Sequence, residues 1–232
     1  MRNTIAAAIV ICGSALLGQL GTVGRAAAQD ATTPYAHMAP IAQYLMRRPA
    51  EIALARSAAP GSISSNAEVL VLGRHGFEPA VKGTNGFVCL VERSWTAAPD
   101  ADFWNPKVRV PICYNAAAAR TYLPRNIKAT SLILAGRTKA QAEHAIIAAA
   151  NENQLPRVAP GAMCFMLSKQ GFGGDSIPHW PPHLMFFYSN TDPATWGANL
   201  PGSPVFASSD PREHLTTFVV AVSRWSDGTE GR

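Results

Sequence analysis

Segment 171–183 holds the densest group of residues that could carry out chemistry in this 232-residue chain. Asp175, His179 and His183 are candidate catalytic residues, because carboxylates and imidazoles serve as metal ligands and as general acids or bases. Trp180 lies among them and is a candidate ligand-binding side chain. The segment is rich in glycine and proline, and loops of this kind between strands often carry functional residues.

The spacing of the two histidines decides whether they could share one ligand. Residues four apart lie on one face of a helix, but Pro181 and Pro182 exclude a helix between His179 and His183. Four residues in polyproline geometry span about 12 Å, which is too far for both imidazoles to bind one metal ion. A tight turn would bring its ends within about 7 Å and allow a shared transition metal. Alternatively, both imidazoles hydrogen-bond to the backbone of the loop, and the sequence leaves the two interpretations open.

The block Gly174-Asp175-Ser176-Ile177 resembles the nucleophile block of the GDSL hydrolases. The resemblance implies Ser176 as a nucleophile. That family places its serine near the start of the domain and its Asp and His three residues apart near the end. Here the serine lies in the final third, and the nearest late pair, Asp210 and His214, is four residues apart. Ordinary turn chemistry explains the Asp-Ser pair equally well.

His75 is a second candidate ligand-binding residue outside that segment. It follows a predicted strand at 68–73. It could join the late histidines if both groups of strands belong to one sheet. The alternative is a histidine in a surface turn.

Three cysteines lie after residues 1–28, which have the pattern of a secretory signal, and their odd number allows at most one disulfide. Cys89 and Cys113 are the candidate pair, because Cys89 lies in a predicted strand and Cys113 ends the Trp- and Pro-rich loop that leaves it. A bond between them would close that loop at its mouth. Cys164 lies in the apolar run 161–168 and is expected to be a buried thiol. The alternative is three separate thiols.

Residues 1–28 are typical of a cleavable secretory signal, with Arg2 before an apolar run and small residues before Gln29. The full chain has 20 basic and 15 acidic residues. Removal of the signal would take away Arg2 and Arg25, which leaves 18 basic against 15 acidic residues and a net charge of +3. The charges are spread along the chain, which argues against nucleic acid as a partner. The apolar run is shorter than the roughly 20 residues that span a bilayer. We expect a periplasmic or extracellular protein that does not span the membrane after cleavage.

The rest of the chain, 29–232, predicts one α+β domain with a flexible leader at 29–38. An N-terminal helix is expected at 40–59, broken or kinked at Pro49. A helical middle section follows later in the chain. Asn115 is expected to cap its first helix, and Thr138 to cap its last helix through a capping box.

Strands are predicted before and after this helical section. Asn85-Gly86 is a strong hairpin signal between the runs 77–82 and 87–93. Later strands are expected at 161–168, 183–189 and 215–224. Their apolar residues are expected to be largely buried in one sheet: Met163, Phe165, Leu167, Leu184, Phe186, Val219 and Val220. The order strands, helices, strands indicates an α+β fold with a largely antiparallel sheet.

Four stretches, at 86–95, 103–113, 178–187 and 196–204, resemble a group of exported bacterial proteins without an assigned activity. The resemblance covers most of the chain after the signal and implies an envelope or secreted setting. It supplies no catalytic residue.

The sequence therefore favours a non-catalytic binding or envelope-interaction module whose partner is a small molecule or an envelope component. The alternative is a metal-dependent or Ser-type hydrolase with its site in segment 171–183. No cofactor is predicted, apart from a transition metal under that alternative.

Overall fold

The structure is a computed structural model that describes residues 35–97 and 102–231. The predicted signal peptide lies outside these residues, as does most of the predicted leader. The strands are β1 (Glu68–Leu72), β2 (Phe77–Val81), β3 (Val88–Glu92), β4 (Val110–Tyr114), β5 (Met163–Met166), β6 (His183–Ser189), β7 (Val205–Asp210) and β8 (Leu215–Ala221). The helices are α1 (Arg48–Arg56), α2 (Gly61–Ser64), α3 (Ser94–Ala97), α4 (Ala116–Thr121), α5 (Leu123–Leu134) and α6 (Lys139–Asn151).

All of these strands form one sheet in the order β2-β1-β3-β4-β5-β6-β8-β7. Each neighbouring pair is antiparallel except β1 and β3, which run parallel. Helices α4, α5 and α6 lie between β4 and β5 in the chain. The predicted α+β fold, with its largely antiparallel sheet and helical middle section, is confirmed.

The predicted hairpin around Asn85 is wrong. β2 does not pair with β3, because β1 lies between them and pairs with both. The hairpin that does form joins β1 to β2 through the turn 73–76. Four of the five residues of β1 are buried, which suits an inner strand. β2 carries Glu78 and Pro79 and suits an edge, where a missing N–H breaks no ladder.

Pro49 lies in the first turn of the first α-helix and does not interrupt it. The predicted helix at 40–59 is a 3-10 turn at Ile41–Gln43 followed by α1, and Pro49 lies in the first turn of α1. A proline costs no hydrogen bond there, since the first N–H groups of a helix have no intrahelical partner. Both predicted caps are confirmed: Asn115 caps α4, and Thr138 caps α6 within a capping box.

Helices cover both faces of the first half of the sheet. Helix α1 packs on one face of β1, β3 and β4, with Leu54 and Val91 in that core. Helices α4 and α5 pack on the opposite face, where Leu90, Ile112 and Phe187 are buried.

The predicted core of the later strands needs correction. Leu167 is buried, but the other predicted core residues are only half-buried: Met163, Phe165, Leu184, Phe186, Val219 and Val220. The buried residues of β5, β6 and β8 are Cys164, His183, Phe187, Thr216 and Phe218. For the half-buried residues of β5 and β6, the reason is that α1 packs against β1, β3 and β4 and leaves the same face of these later strands less covered. Phe218 lies on that face too, but Trp196 stacks on it.

The predicted disulfide between Cys89 and Cys113 is confirmed. The two cysteines lie directly opposite each other in the β3–β4 ladder, 24 positions apart in the chain. Cys164 is a free, buried thiol in β5, as expected. Disulfides persist in oxidising compartments, so the bond is in keeping with a place outside the cytoplasm. Across 35–97 and 102–231, no helix has the length and apolar character needed to cross a bilayer.

Candidate functional site

Segment 171–183 lies in the connection from β5 to β6, with His183 as the first residue of β6, and it is fastened to the chain before β4. Phe172 forms a β-bridge with Arg109. The Ser176 hydroxyl donates to Asp102 Oδ2 at 3.3 Å. These contacts hold the loop against the β4 side of the sheet.

His179, Trp180 and His183 lie around one very small cavity. Its volume is about 20 Å³, which is enough for about one water molecule. His179 Nδ1 lies 3.1 Å from the Gly171 carbonyl, and His183 Nδ1 lies 2.7 Å from the Pro181 carbonyl. Because a carbonyl only accepts, each Nδ1 carries a proton and donates. Burial lowers the pKa of His183 and favours its neutral form.

The structure does not bring Asp175 or His75 to that cavity. The Tyr35 hydroxyl donates to Asp175 Oδ2 at 2.6 Å, and this bond is the main reason why the pKa of Tyr35 rises to about 12. His75 is exposed in the turn between β1 and β2. Three strands separate β1 from β6, which places these strands roughly 19 Å apart. No group of three or more His, Cys, Asp or Glu side chains in the described part of the chain could hold a metal ion.

The constellation required by the GDSL resemblance is not assembled. Ser176 lies in the loop before β6, whereas His214 lies immediately before β8. These strands are antiparallel and pair along their full length, so the two residues lie beyond opposite ends of β6. A strand of this length separates its ends by roughly 20 Å. Asp210 is bonded to Arg212 at 2.7 Å.

A larger cavity, of about 180 Å³, lies at the opposite end of β6 from this loop, beside His214. Its walls are formed by the end of α6 with the chain after it, by the beginning of α5, and by the residues at the end of β6 and just before β8. Its polar lining includes Arg125, Asn151, Asn153, Arg157, Asn190 and His214. We call it the polar cavity.

The backbone around the polar cavity is unusual. Asn153, Asn190 and His214 have φ values of 56°, 46° and 53°. The left-handed region is uncommon outside glycine and concentrates at functional sites. Asn153 follows α6, and the Asn190 N–H donates to the His214 carbonyl at 3.2 Å, which extends the β6–β8 ladder by one pair. These left-handed residues therefore form the turns that close the cavity.

Hydrogen bonds fix the tautomer of His214. Asn151 Nδ2 donates to the Ile147 carbonyl, so Asn151 Oδ1 is an acceptor and lies 2.9 Å from His214 Nε2. His214 Nε2 therefore carries the proton. Its Nδ1 faces the Asn190 amide at 3.4 Å. The imidazole is held in one orientation at the cavity wall.

The charges that line the polar cavity have an excess of one positive charge. Arg125 and Arg157 are the two cations, and Glu213 is the one anion. Arg125 pairs with Glu213. Arg157 is exposed and makes no hydrogen bond or ion pair with the described residues. A concave surface with this balance attracts an anion.

A second cavity, of about 160 Å³, lies between α5 and α6. Trp95, Phe103 and Tyr122 supply aromatic side chains to its lining, and Ala142 and Ile146 supply the apolar face of α6. We call it the aromatic cavity. The Trp95 Nε1–H donates to the Thr130 hydroxyl at 3.0 Å, which fixes the indole.

A buried carboxyl lies behind the aromatic cavity. Glu92 Oε1 accepts from the Tyr114 hydroxyl and from Asn126 Nδ2, both at 2.6 Å. Asn126 also lines the aromatic cavity. Burial raises the pKa of Glu92 to about 7, although the two hydrogen bonds act in the opposite direction.

We expect Glu92→Gln to stabilise the protein above pH 7. The pKa of this carboxyl is about 7 in the folded chain, whereas a glutamate ordinarily has a pKa of 4.5, so the folded state binds more protons between these values. Stability is therefore lost as the pH rises from 4.5 through 7. The neutral variant avoids a loss of about 3 kcal/mol at pH 8. Urea unfolding of both proteins from about pH 4.5 to pH 8 measures the difference.

The exposed Glu152→Gln is the matched control and should leave the pH dependence unchanged. His183 has a lowered pKa, which makes stability fall at acidic pH. Because His183 is present in every protein compared, this contribution cancels in the difference between Glu92→Gln and the unmodified protein. A Glu92→Gln curve parallel to that of the unmodified protein would show that Glu92 does not titrate in this range.

Comparison with known proteins finds no family model, no curated protein and no solved structure that matches this chain. The resemblance to exported bacterial proteins stays a prediction. The sequence interpretation did not identify Arg125, Arg157 or Asn190 as site residues. The sequence gives no signal for the two arginines. For Asn190, and for Asn153 beside the same cavity, the only signal is that asparagine tolerates the left-handed backbone of a turn.

Proposed function

We propose that this protein is an exported binding module, periplasmic or extracellular, that takes a small anion into the polar cavity. One observation carries the proposal: a concave site lined by two arginines and a single glutamate, Glu213, with Arg157 uncommitted among the described residues. The predicted signal peptide and the disulfide support the location.

The groups around the polar cavity suit a carboxylate. Arginine presents a planar set of N–H donors that can bind both oxygens of a carboxylate. Amide side chains of Asn153 and Asn190 add neutral donors at positions fixed by the backbone. Arg125 is already paired with Glu213, so Arg157 is the cation available to the ligand.

The candidate catalytic loop supports binding over hydrolysis. His179 and His183 use Nδ1 to donate to carbonyls of their own loop. Ser176 is bonded to Asp102 and lies at the far end of β6 from His214. The groups required for nucleophilic catalysis are therefore dispersed, whereas the groups suited to holding an anion are concentrated beside His214.

We expect acetate to cause saturable shifts of the backbone amide signals around Asn153, Asn190 and His214 in a ¹H–¹⁵N NMR titration. Arg157→Gln should weaken acetate binding about tenfold, because it removes a charge-assisted hydrogen bond. Acetamide has nearly the same shape without the charge and should bind at least tenfold more weakly than acetate.

Arg74→Gln is the matched control, because it removes the same charge from the exposed turn between β1 and β2. It should leave acetate affinity unchanged. Equal weakening by Arg74→Gln and Arg157→Gln would mean that net charge, and not the cavity, attracts the anion. Absence of saturable shifts at these residues would contradict the proposed function.

A further inference from the structure

The polar cavity and the aromatic cavity lie one after the other along helix α6. Ala142, Glu143 and Ile146 line the aromatic cavity, and Ala150 and Asn151 line the polar cavity. These residues recur at intervals of three to four, which places them on one face of the helix. The two cavities therefore form consecutive parts of one groove.

Arg125 and Glu213 are lining residues of both cavities. They form an ion pair, and their side chains are 21% and 12% exposed. The Arg125 guanidinium also lies 5.6 Å from the centre of the Tyr122 ring, which is part of the aromatic cavity. This ion pair lies where the two cavities meet, and Lys139 and Glu143 also line the aromatic cavity.

We infer that the groove takes an aryl-alkyl monocarboxylate, with its carboxylate in the polar cavity and its aromatic ring in the aromatic cavity. The inference rests on the proposed function and adds the second half of the ligand. Trp95, Phe103 and Tyr122 line the aromatic cavity, and aromatic side chains pack favourably beside a ring through offset or edge contacts. An apolar tail in this cavity leaves water, while the carboxylate keeps charged and amide partners.

The length of the groove sets the length of the ligand. Ala142 and Ala150 are eight residues apart, which corresponds to about 12 Å along the helix axis. A ring attached directly to a carboxylate is too short to occupy both cavities, so a chain of several methylene groups must join them. The chain passes the pair formed by Arg125 and Glu213.

The negative charge of Glu213 weakens binding of the ligand carboxylate near Arg125. Glu213 and the ligand carboxylate are both attracted to Arg125, and like charges disfavour each other at short distance. Glu213→Gln keeps a side chain of nearly the same shape and removes the competing charge. Affinity for the carboxylate should therefore rise in this variant.

The test is calorimetric titration of the purified protein with 4-phenylbutyrate, acetate and 4-phenylbutan-1-ol. We expect 4-phenylbutyrate to bind at least tenfold more tightly than either acetate, which lacks the ring, or the alcohol, which lacks the charge. Glu213→Gln should bind 4-phenylbutyrate about threefold to tenfold more tightly than the unmodified protein.

A variant that fills the aromatic cavity separates the two halves of the ligand. Ala129 lines this cavity, and Ala129→Phe should abolish the advantage of 4-phenylbutyrate while acetate binds unchanged. Ala148→Phe places the same side chain on the exposed side of α6 and should change neither affinity. An unaltered melting temperature in both variants shows that the fold is retained.

The outcomes distinguish this inference from the proposed function. Equal affinities for acetate and 4-phenylbutyrate would overturn the inference and leave the anion site standing. Unchanged binding of 4-phenylbutyrate by Ala129→Phe would do the same. Failure of both acids to bind would overturn the proposed function itself.

Discussion

Phe187→Ala is expected to lower the free energy of unfolding by about 3–5 kcal/mol. Phe187 lies on β6 with no exposed side-chain surface. Its ring stacks on Tyr122 with 3.7 Å between the ring centres. The residues around it belong to the core between the sheet and α4 and α5, so truncation leaves a cavity that the regular structure on both sides cannot easily close. Urea unfolding monitored by circular dichroism measures the loss.

Phe186→Ala is the matched control for that substitution. Phe186 is the next residue, so its side chain points to the other face of the sheet, where it is half-buried beside Trp196. Its truncation should cost less than about 2 kcal/mol, since part of its surface already contacts water. Similar losses in the two variants would contradict the assignment of faces on β6.

Arg93→Met is expected to lower the free energy of unfolding by about 3–5 kcal/mol, because it leaves a buried carboxylate without its partner. Arg93 Nη2 lies 2.7 Å from Glu51 Oε1, and both side chains are almost completely buried. The guanidinium also donates to the carbonyls of Tyr44 and Val91. The Leu72 N–H shares the same Glu51 oxygen. The ion pair thus joins α1, β1 and the end of β3.

The double variant Arg93→Met with Glu51→Gln tests the cause of that loss. It removes both charges and keeps an acceptor for the Leu72 N–H. We expect it to recover at least half of the lost stability, as buried ion pairs can often be replaced by neutral side chains. If the double variant is as unstable as Arg93→Met alone, the cost comes from the lost bonds to the Tyr44 and Val91 carbonyls.

Features that depend on neighbouring residues could be predicted from the sequence. The caps at Asn115 and Thr138 are examples, because a side-chain oxygen bonds to an N–H within three residues. The pairing of Cys89 with Cys113 was predicted from a strand and the loop that leaves it. Cys89 lies near the beginning of β3 and Cys113 near the end of β4, and these positions are opposite each other because the two strands are antiparallel.

Strand order could not be predicted in the same way. The turn around Asn85 gave a correct local signal, since Gly86 has a φ of +78°. A turn fixes the direction of the chain but not the strand that it pairs with. β1 is more completely buried than β2, and burying it between β2 and β3 excludes more apolar surface from water than a two-stranded hairpin would.

The candidate site, too, could be predicted from the sequence only in part. Segment 171–183 brought His179, Trp180 and His183 together, as its prolines allowed, but the loop leaves only a very small cavity between them. The residues of the polar cavity come from four distant parts of the chain. His214 was considered only as a partner for Ser176, from which the β6–β8 pairing separates it.

The sequence by itself determined the class of fold, the helix caps, the disulfide partners and the expectation of export. Each follows from composition, from periodicity or from contacts over short distances along the chain. Only the tertiary structure decided the order of the strands, the burial of the Arg93–Glu51 pair and the meeting of Arg125, Arg157 and His214 beside one cavity. These depend on which apolar surfaces pack together over the whole domain, and that competition is settled when the sheet and its helices assemble.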